Sequence, residues 1–334
     1  MASPASPSSR LAWVDISNVI AMLCIVWGHV PCAAVDSIKP ARHIFFTVPF
    51  FLLAGITFRL YTDKYRRTGH SHRYIIGRRL RSMLTPAVVF YLLFYALWLA
   101  FGRTLAGDTE APLKPLLDLL TGQPSTVLAA YWFLFCLITM QTAFYLLHVV
   151  IPRKTPLAVL CGLMPLALPW PGIPDCYQIG PALKFIPFLV MGWYIGAREY
   201  RPAALCGTLA YLILIPQYAL GIDVRTELIA IPLGLLLLAL IVILAKALGA
   251  RYGRPWLIRT LRYGALVILA TQNYIIGFVR ILLDRLVAPD FLLQHYALKP
   301  LVVLLVYLIT LPLILLIRDH CPWVLGKRRP SPQT

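Results

Sequence analysis

The chain has 334 residues, 60% of them hydrophobic and only 13% charged, with a net charge of +18 and a mean hydropathy of +0.76. Soluble domains carry about 25% charged residues, so a water-facing globular surface is excluded. The surplus Lys and Arg fall between apolar runs, which marks them as orientation signals facing anionic membrane lipid and speaks against a nucleic-acid partner.

Residues 1–9 are rich in Ser, Pro and Ala and read as a disordered tail. A single transmembrane domain is expected over 10–320, followed by a cytoplasmic tail at 321–334. Apolar stretches able to span fall at 11–31, 43–60, 84–101, 129–151, 157–171, 182–197, 203–221, 227–248, 263–283 and 298–317. The fold expected is therefore all-α, a polytopic membrane helix bundle of about ten transmembrane helices.

The first span carries Asp15 near one end and His29 near the other. Ionisable groups within spans are costly and usually functional. His29 suits either an interfacial histidine or a general base, and Asp15 also suits a favourable charge in a first helical turn. The second span opens on His43, which alternation of direction brings to the same side as His29. The connection at 60–83 holds Lys64, Arg66, Arg67, Arg73, Arg78, Arg79 and Arg81, and this density sets it, and with an even number of spans both termini, on the cytoplasmic side. Arg78 and Arg81 share a helix face, where guanidinium forks could hold phosphate oxygens or simply anchor topology. The fifth span contains Pro165, Pro169 and Pro171 and is expected to be kinked or re-entrant. Seven cysteines show no metal-type spacing, and no metal is expected.

Taken in order, these elements resemble the acyltransferase-3 family of multi-spanning membrane O-acyltransferases, of the exopolysaccharide or glycan O-acetyltransferase type. Asp15 and His29 match its first motif; Pro49-Phe-Phe-Leu-Leu-Ala-Gly55 resembles its second. Arg78-Arg-Leu-Arg81 followed by Pro86 fits its Arg-x-x-Arg loop, and Tyr131-Trp-Phe-Leu134 its Trp-Phe-Leu span. The runs Phe188–Gly196 and Ala265–Gln272 are similar to its later membrane motifs. Four positions depart from the pattern: Asn18 replaces a basic residue, Ala54 a serine, and Thr47 and Gln272 histidines. His43 lies one turn before Thr47, placed to stand in for the missing imidazole.

The resemblance implies a bacterial inner-membrane enzyme that moves an acyl group from cytoplasmic acyl-CoA to a hydroxyl of a glycan or lipid-linked saccharide. Acetyl-CoA is the expected donor, with succinyl as the alternative acyl group. Membrane lipid and polysaccharide-assembly proteins are the other expected partners. His29 would be the catalytic base, with Asn18 and His43 beside it, and Arg78, Arg79 and Arg81 would hold the CoA phosphates. Asp15, Trp132 and Gln272 would support the site, and Asn18, Trp132 and Gln272 could also donate to the thioester oxygen. A helix rises about 1.5 Å per residue, so His29 lies most of a bilayer from the arginine face and CoA must thread inward. Two other readings remain open: a glycan or lipid transporter or flippase, and a catalytically weakened family member in a polysaccharide-assembly complex.

Overall fold

The computed structural model describes residues 7–33, 39–102, 110–167 and 176–326. Among these the chain is all-helical, without strands. The long helices are α1 (Pro7–His29), α2 (Lys39–Arg67), α3 (His72–Leu97), α5 (Tyr131–Val150) and α7 (Ile179–Gly196), then α8 (Tyr200–Leu212), α10 (Arg225–Tyr252), α12 (Ala265–Leu286) and α14 (Lys299–His320). Shorter pieces are α4 (Lys114–Thr121), α6 (Lys154–Leu163), α9 (Leu214–Ala219), α11 (Trp256–Tyr263) and α13 (Phe291–Gln294). A π-helical turn, Trp98–Gly102, extends α3.

Nine helices among the described residues are long and apolar enough to cross a membrane. They coincide with nine of the ten expected spans, the α8–α9 pair acting as one. The expected fifth span is realised as the short α6, ending in a 3-10 turn at Met164–Ala167. Proline withholds a helix donor, and Pro165 stands where the α-helical ladder gives way. Pro169 and Pro171 lie outside the described residues. Tyr194, near the end of α7, donates to the Lys154 carbonyl (3.1 Å), and Gln217 of α9 donates to the Pro165 carbonyl (3.0 Å). The α6 segment thus runs antiparallel to α7, from one end of the bundle towards the other.

Helices are the form in which a chain this apolar can satisfy its backbone away from water. Their outer faces are aliphatic: on α10, Leu233, Leu236, Leu240, Ile243 and Leu244 form an exposed stripe at helical spacing. In the centre α2 packs on α1, α7 and α10. The α2–α7 contact is close because both helices present glycine there. A methyl on Gly55 would lie 2.0 Å from the Leu189 carbonyl oxygen, and one on Gly192 would lie 1.9 Å from that of Leu52.

The start of α1 and the end of α14 meet at one end of the bundle, bridged by α11. Arg262 pairs with Asp15, and Arg318 donates to Thr260 (3.5 Å). This end also receives the α2–α3 connection and most of the arginines, and is called the basic end below. Helix α1 is already helical at Pro7, inside the tail expected at 1–9, whose first six residues lie outside the described residues. Within the tail expected at 321–334, Pro322–Leu325 forms a 3-10 turn against α3, and 327–334 lie outside the described residues.

Candidate active site

At the basic end a cavity of about 530 Å³ opens between α1, α2, α3, α5, α11, α12 and α14. Four arginines line it: Arg79, Arg254, Arg259 and Arg262. Deeper in, its walls turn apolar at Met22, Phe50, Met83, Leu134 and Ile268, with Asn18 and Tyr307 as polar exceptions. The space is therefore cationic at its mouth and apolar at its floor.

Asp15 organises this mouth. Its carboxylate is fully buried and pairs with Arg254 and Arg262 together. A buried carboxylate needs such partners, since an unpaired charge away from water is costly. The basic residue that the first motif lacks at Asn18 is thus supplied from the α10–α11 connection and from α11. Asn18 caps no charge; its amide donates to the Val14 carbonyl (2.7 Å) and its side chain borders the cavity. Partial burial lowers the pKa of Arg262, Asp15 opposing the shift and Arg254 adding to it. A guanidinium still remains charged near neutral pH. Among the described residues, one carboxylate against four arginines leaves the mouth with surplus positive charge.

Among the three arginines expected to bind phosphate, Arg79 alone lines the cavity. Its Nε donates to the Gln141 side chain on α5 (2.8 Å), which fixes it. Arg78 instead stands over the Tyr65 ring (5.3 Å) and donates to the Tyr74 hydroxyl (3.1 Å). Arg81 is exposed and is not part of the lining. Arg78 and Arg81 share one helix face as expected, but the cavity lies on the face of the residue between them.

His29 lies at the far end of α1, in a separate small pocket of about 30 Å³ with Thr47, Trp132, Phe133 and Leu269. The fourteen residues from Asp15 to His29 correspond to roughly 21 Å of helix rise. The two spaces nonetheless follow one lane through the bundle. On α1 the lining passes from Asn18 and Met22 to Ile25 and His29, on α2 from Phe50 to Phe46, and on α12 from Ile268 to Leu269. Between them stands an aromatic wall, where Phe50 of the large cavity meets Phe133 of the small pocket edge-on at 4.8 Å.

Gln272 continues the α12 face that carries Ile268 and Leu269. It is fully buried, and neither atom of its amide has a hydrogen-bond partner among the described residues. The backbone of His43 lies in α2, but its side chain is outside the described residues. No group of three or more His, Cys, Asp or Glu among the described residues could hold a metal.

Sequence reasoning missed Arg254, Arg259, Arg262 and Gln141 as site residues. The first three were legible only as topology signals, although the amphipathic run Trp256–Tyr263, too short to span, was a clue that these arginines line something. Gln141 carried no signal, sitting inside an ordinary apolar span.

The family model described as an acyltransferase domain matches residues 11–319, nearly the whole chain. No curated protein and no solved structure gives a match. With its all-helical membrane bundle and this match, the chain belongs to the acyltransferase-3 family and is a membrane acyltransferase.

Proposed function

We propose that the protein is an O-acyltransferase that takes an acyl group, acetyl by preference, from acyl-CoA and places it on a hydroxyl of a glycan or lipid-linked saccharide. The observation that carries this reading is the lane: a cavity with four arginines at one end and a histidine pocket at the other, aligned along α1. CoA presents phosphates joined to a long, thin arm ending in the thioester. Arg79, Arg254, Arg259 and Arg262 would hold the phosphates, since guanidinium forks match phosphate oxygens. The apolar floor suits the arm, which would reach the thioester past Phe50 and Phe133 towards His29. The basic end would then face the cytoplasm of a bacterial inner membrane, where acyl-CoA and the anionic leaflet are found.

At His29 the neutral imidazole takes the proton of the acceptor hydroxyl as its oxygen attacks the thioester carbonyl carbon. Negative charge collects on the carbonyl oxygen, for which the Gln272 amide and the Trp132 indole N–H are the available donors. The intermediate collapses, the C–S bond breaks, and the departing CoA sulfur takes the proton from the imidazolium. The ester and free CoA result, with no redox change. The aromatic wall must part in this cycle, because about 30 Å³ around His29 holds little more than one water.

The arginine assignment is tested by acyl-CoA binding to purified protein. Arg79→Ala together with Arg259→Ala is expected to weaken binding about tenfold or more, as about two charge-assisted contacts are lost. Arg78→Ala with Arg81→Ala is expected to change it less than threefold. Rising salt should weaken the wild type. Equal losses in the two double variants would remove the cavity from the binding site.

A further inference from the structure

A second pair of spaces lies away from this lane, between α7, α8–α9 and α10. The upper chamber, of about 180 Å³, carries Lys184, Gln217, Asp223 and Glu227 between apolar walls at Phe188, Leu214, Val224 and Ile231. The lower is an apolar groove of about 330 Å³ that includes Met191, Ala204, Gly207, Pro232 and Leu235. Phe188 and Ile231 line both, so the two adjoin. Every flanking helix gives the same order, polar then apolar. It runs from Lys184 to Met191 on α7, from Gln217 back to Ala204 on α8–α9, and from Glu227 to Leu235 on α10. The seven residues on α7 and eight on α10 correspond to roughly 10–12 Å of slot. The polar chamber is at the end of the bundle opposite the basic end, and the groove descends from it among lipid-facing surfaces.

A slot with a charged head and an apolar tail on a membrane-spanning bundle has the shape of one lipid molecule. The charges decide which. Lys184 pairs with Glu227 and keeps further N–H donors, and Asp223, which is exposed, adds a second carboxylate. Arg225 lies over the Tyr218 ring (5.5 Å) and is not part of the lining. With two carboxylates to one ammonium among the described lining residues, the chamber repels a headgroup of net negative charge. We infer that this slot binds a phospholipid with a zwitterionic, amine-bearing headgroup, its ammonium on Asp223 and Glu227, its phosphate on Lys184, and one acyl chain along the groove. The site is separate from the lane and does not rest on the acyl-transfer reading.

The test is native mass spectrometry of the detergent-purified, full-length protein in an equimolar mixture of phosphatidylethanolamine, phosphatidylglycerol and a polyprenyl diphosphate. Phosphatidylethanolamine should be retained about tenfold over either anionic lipid, the scale of one lost charge contact. Asp223→Asn should erase that preference. Ala204→Trp, a change on the exposed side of α8 that leaves the bundle core untouched, should fill the groove and release the bound lipid while the thermal midpoint of the lipid-free protein stays put. Phosphatidylglycerol or the polyprenyl diphosphate held as tightly as phosphatidylethanolamine would overturn the proposal. So would phosphatidylethanolamine retained unchanged in both variants.

Discussion

At the scale of single residues, Asp15 shows what spacing can and cannot reveal. A carboxylate near the start of the first span was visible in the sequence, but the first-turn role read for it fails, because α1 begins eight residues earlier, at Pro7. Its partners were not visible, because Arg254 and Arg262 lie far along the chain and only the fold brings them to it. The same holds for Arg79, whose neighbours on one helix face drew attention while the cavity formed on the other. Gln272 was marked by its place in a motif, but the sequence could not show that its amide would be buried without a hydrogen-bond partner among the described residues. Asp15→Ala should strand two guanidinium groups. Their partial exposure puts the cost above the roughly 1 kcal/mol of a surface pair but below the roughly 3–5 kcal/mol of a fully buried one. The loss should appear as a lower thermal midpoint and as weaker acyl-CoA binding, and Asp15→Asn should recover part of the first. An unchanged midpoint in Asp15→Ala would mean that the carboxylate does not organise the arginines.

At the scale of elements, hydrophobic run length located nine long helices because a lipid-facing helix must be apolar over its whole length. Helix α6 gives way to a 3-10 turn at Pro165, the first of the expected prolines, while its antiparallel course beside α7 is a tertiary fact. The α2–α7 contact was half legible: Gly55 and Gly192 each fall in a motif run, but that the two helices pack there needed the fold. Gly192→Ala should be severe, since its new methyl would fall 1.9 Å from the Leu52 carbonyl oxygen and backbone cannot yield as a side chain can. Overpacking costs about 1–3 kcal/mol or more, and a reduced monodisperse yield with a lowered midpoint is expected. Gly277→Ala, on α12 with nothing within 4 Å of the added methyl, is the matched control and should be neutral or slightly stabilising. Equal behaviour of the two variants would argue against the close α2–α7 packing.

At the scale of the whole molecule, the clustering of basic connections predicted that one end would gather the arginines, and the start of α1 and the end of α14 do meet there. Which side of a membrane that end faces is a matter for labelling. Single cysteines at Lys64 and Lys154 should react from the cytoplasmic side and one at Tyr177 from the opposite side. Labelling of Lys154 and Tyr177 from the same side would reduce α6 to a re-entrant segment. The lane itself could not be read from the sequence, which showed only that CoA and His29 begin far apart. Transfer along it is measured most directly by the release of CoA thiol from acetyl-CoA, with a saccharide acceptor, by the purified protein in lipid nanodiscs. Wild type should release thiol in an acceptor-dependent way, with a limb in the pH profile near the imidazole range as His29 loses its proton. His29→Ala should bind acetyl-CoA normally yet turn over about 100-fold to 10,000-fold more slowly, and a well-folded His29→Ala protein transferring at the wild-type rate would contradict the account.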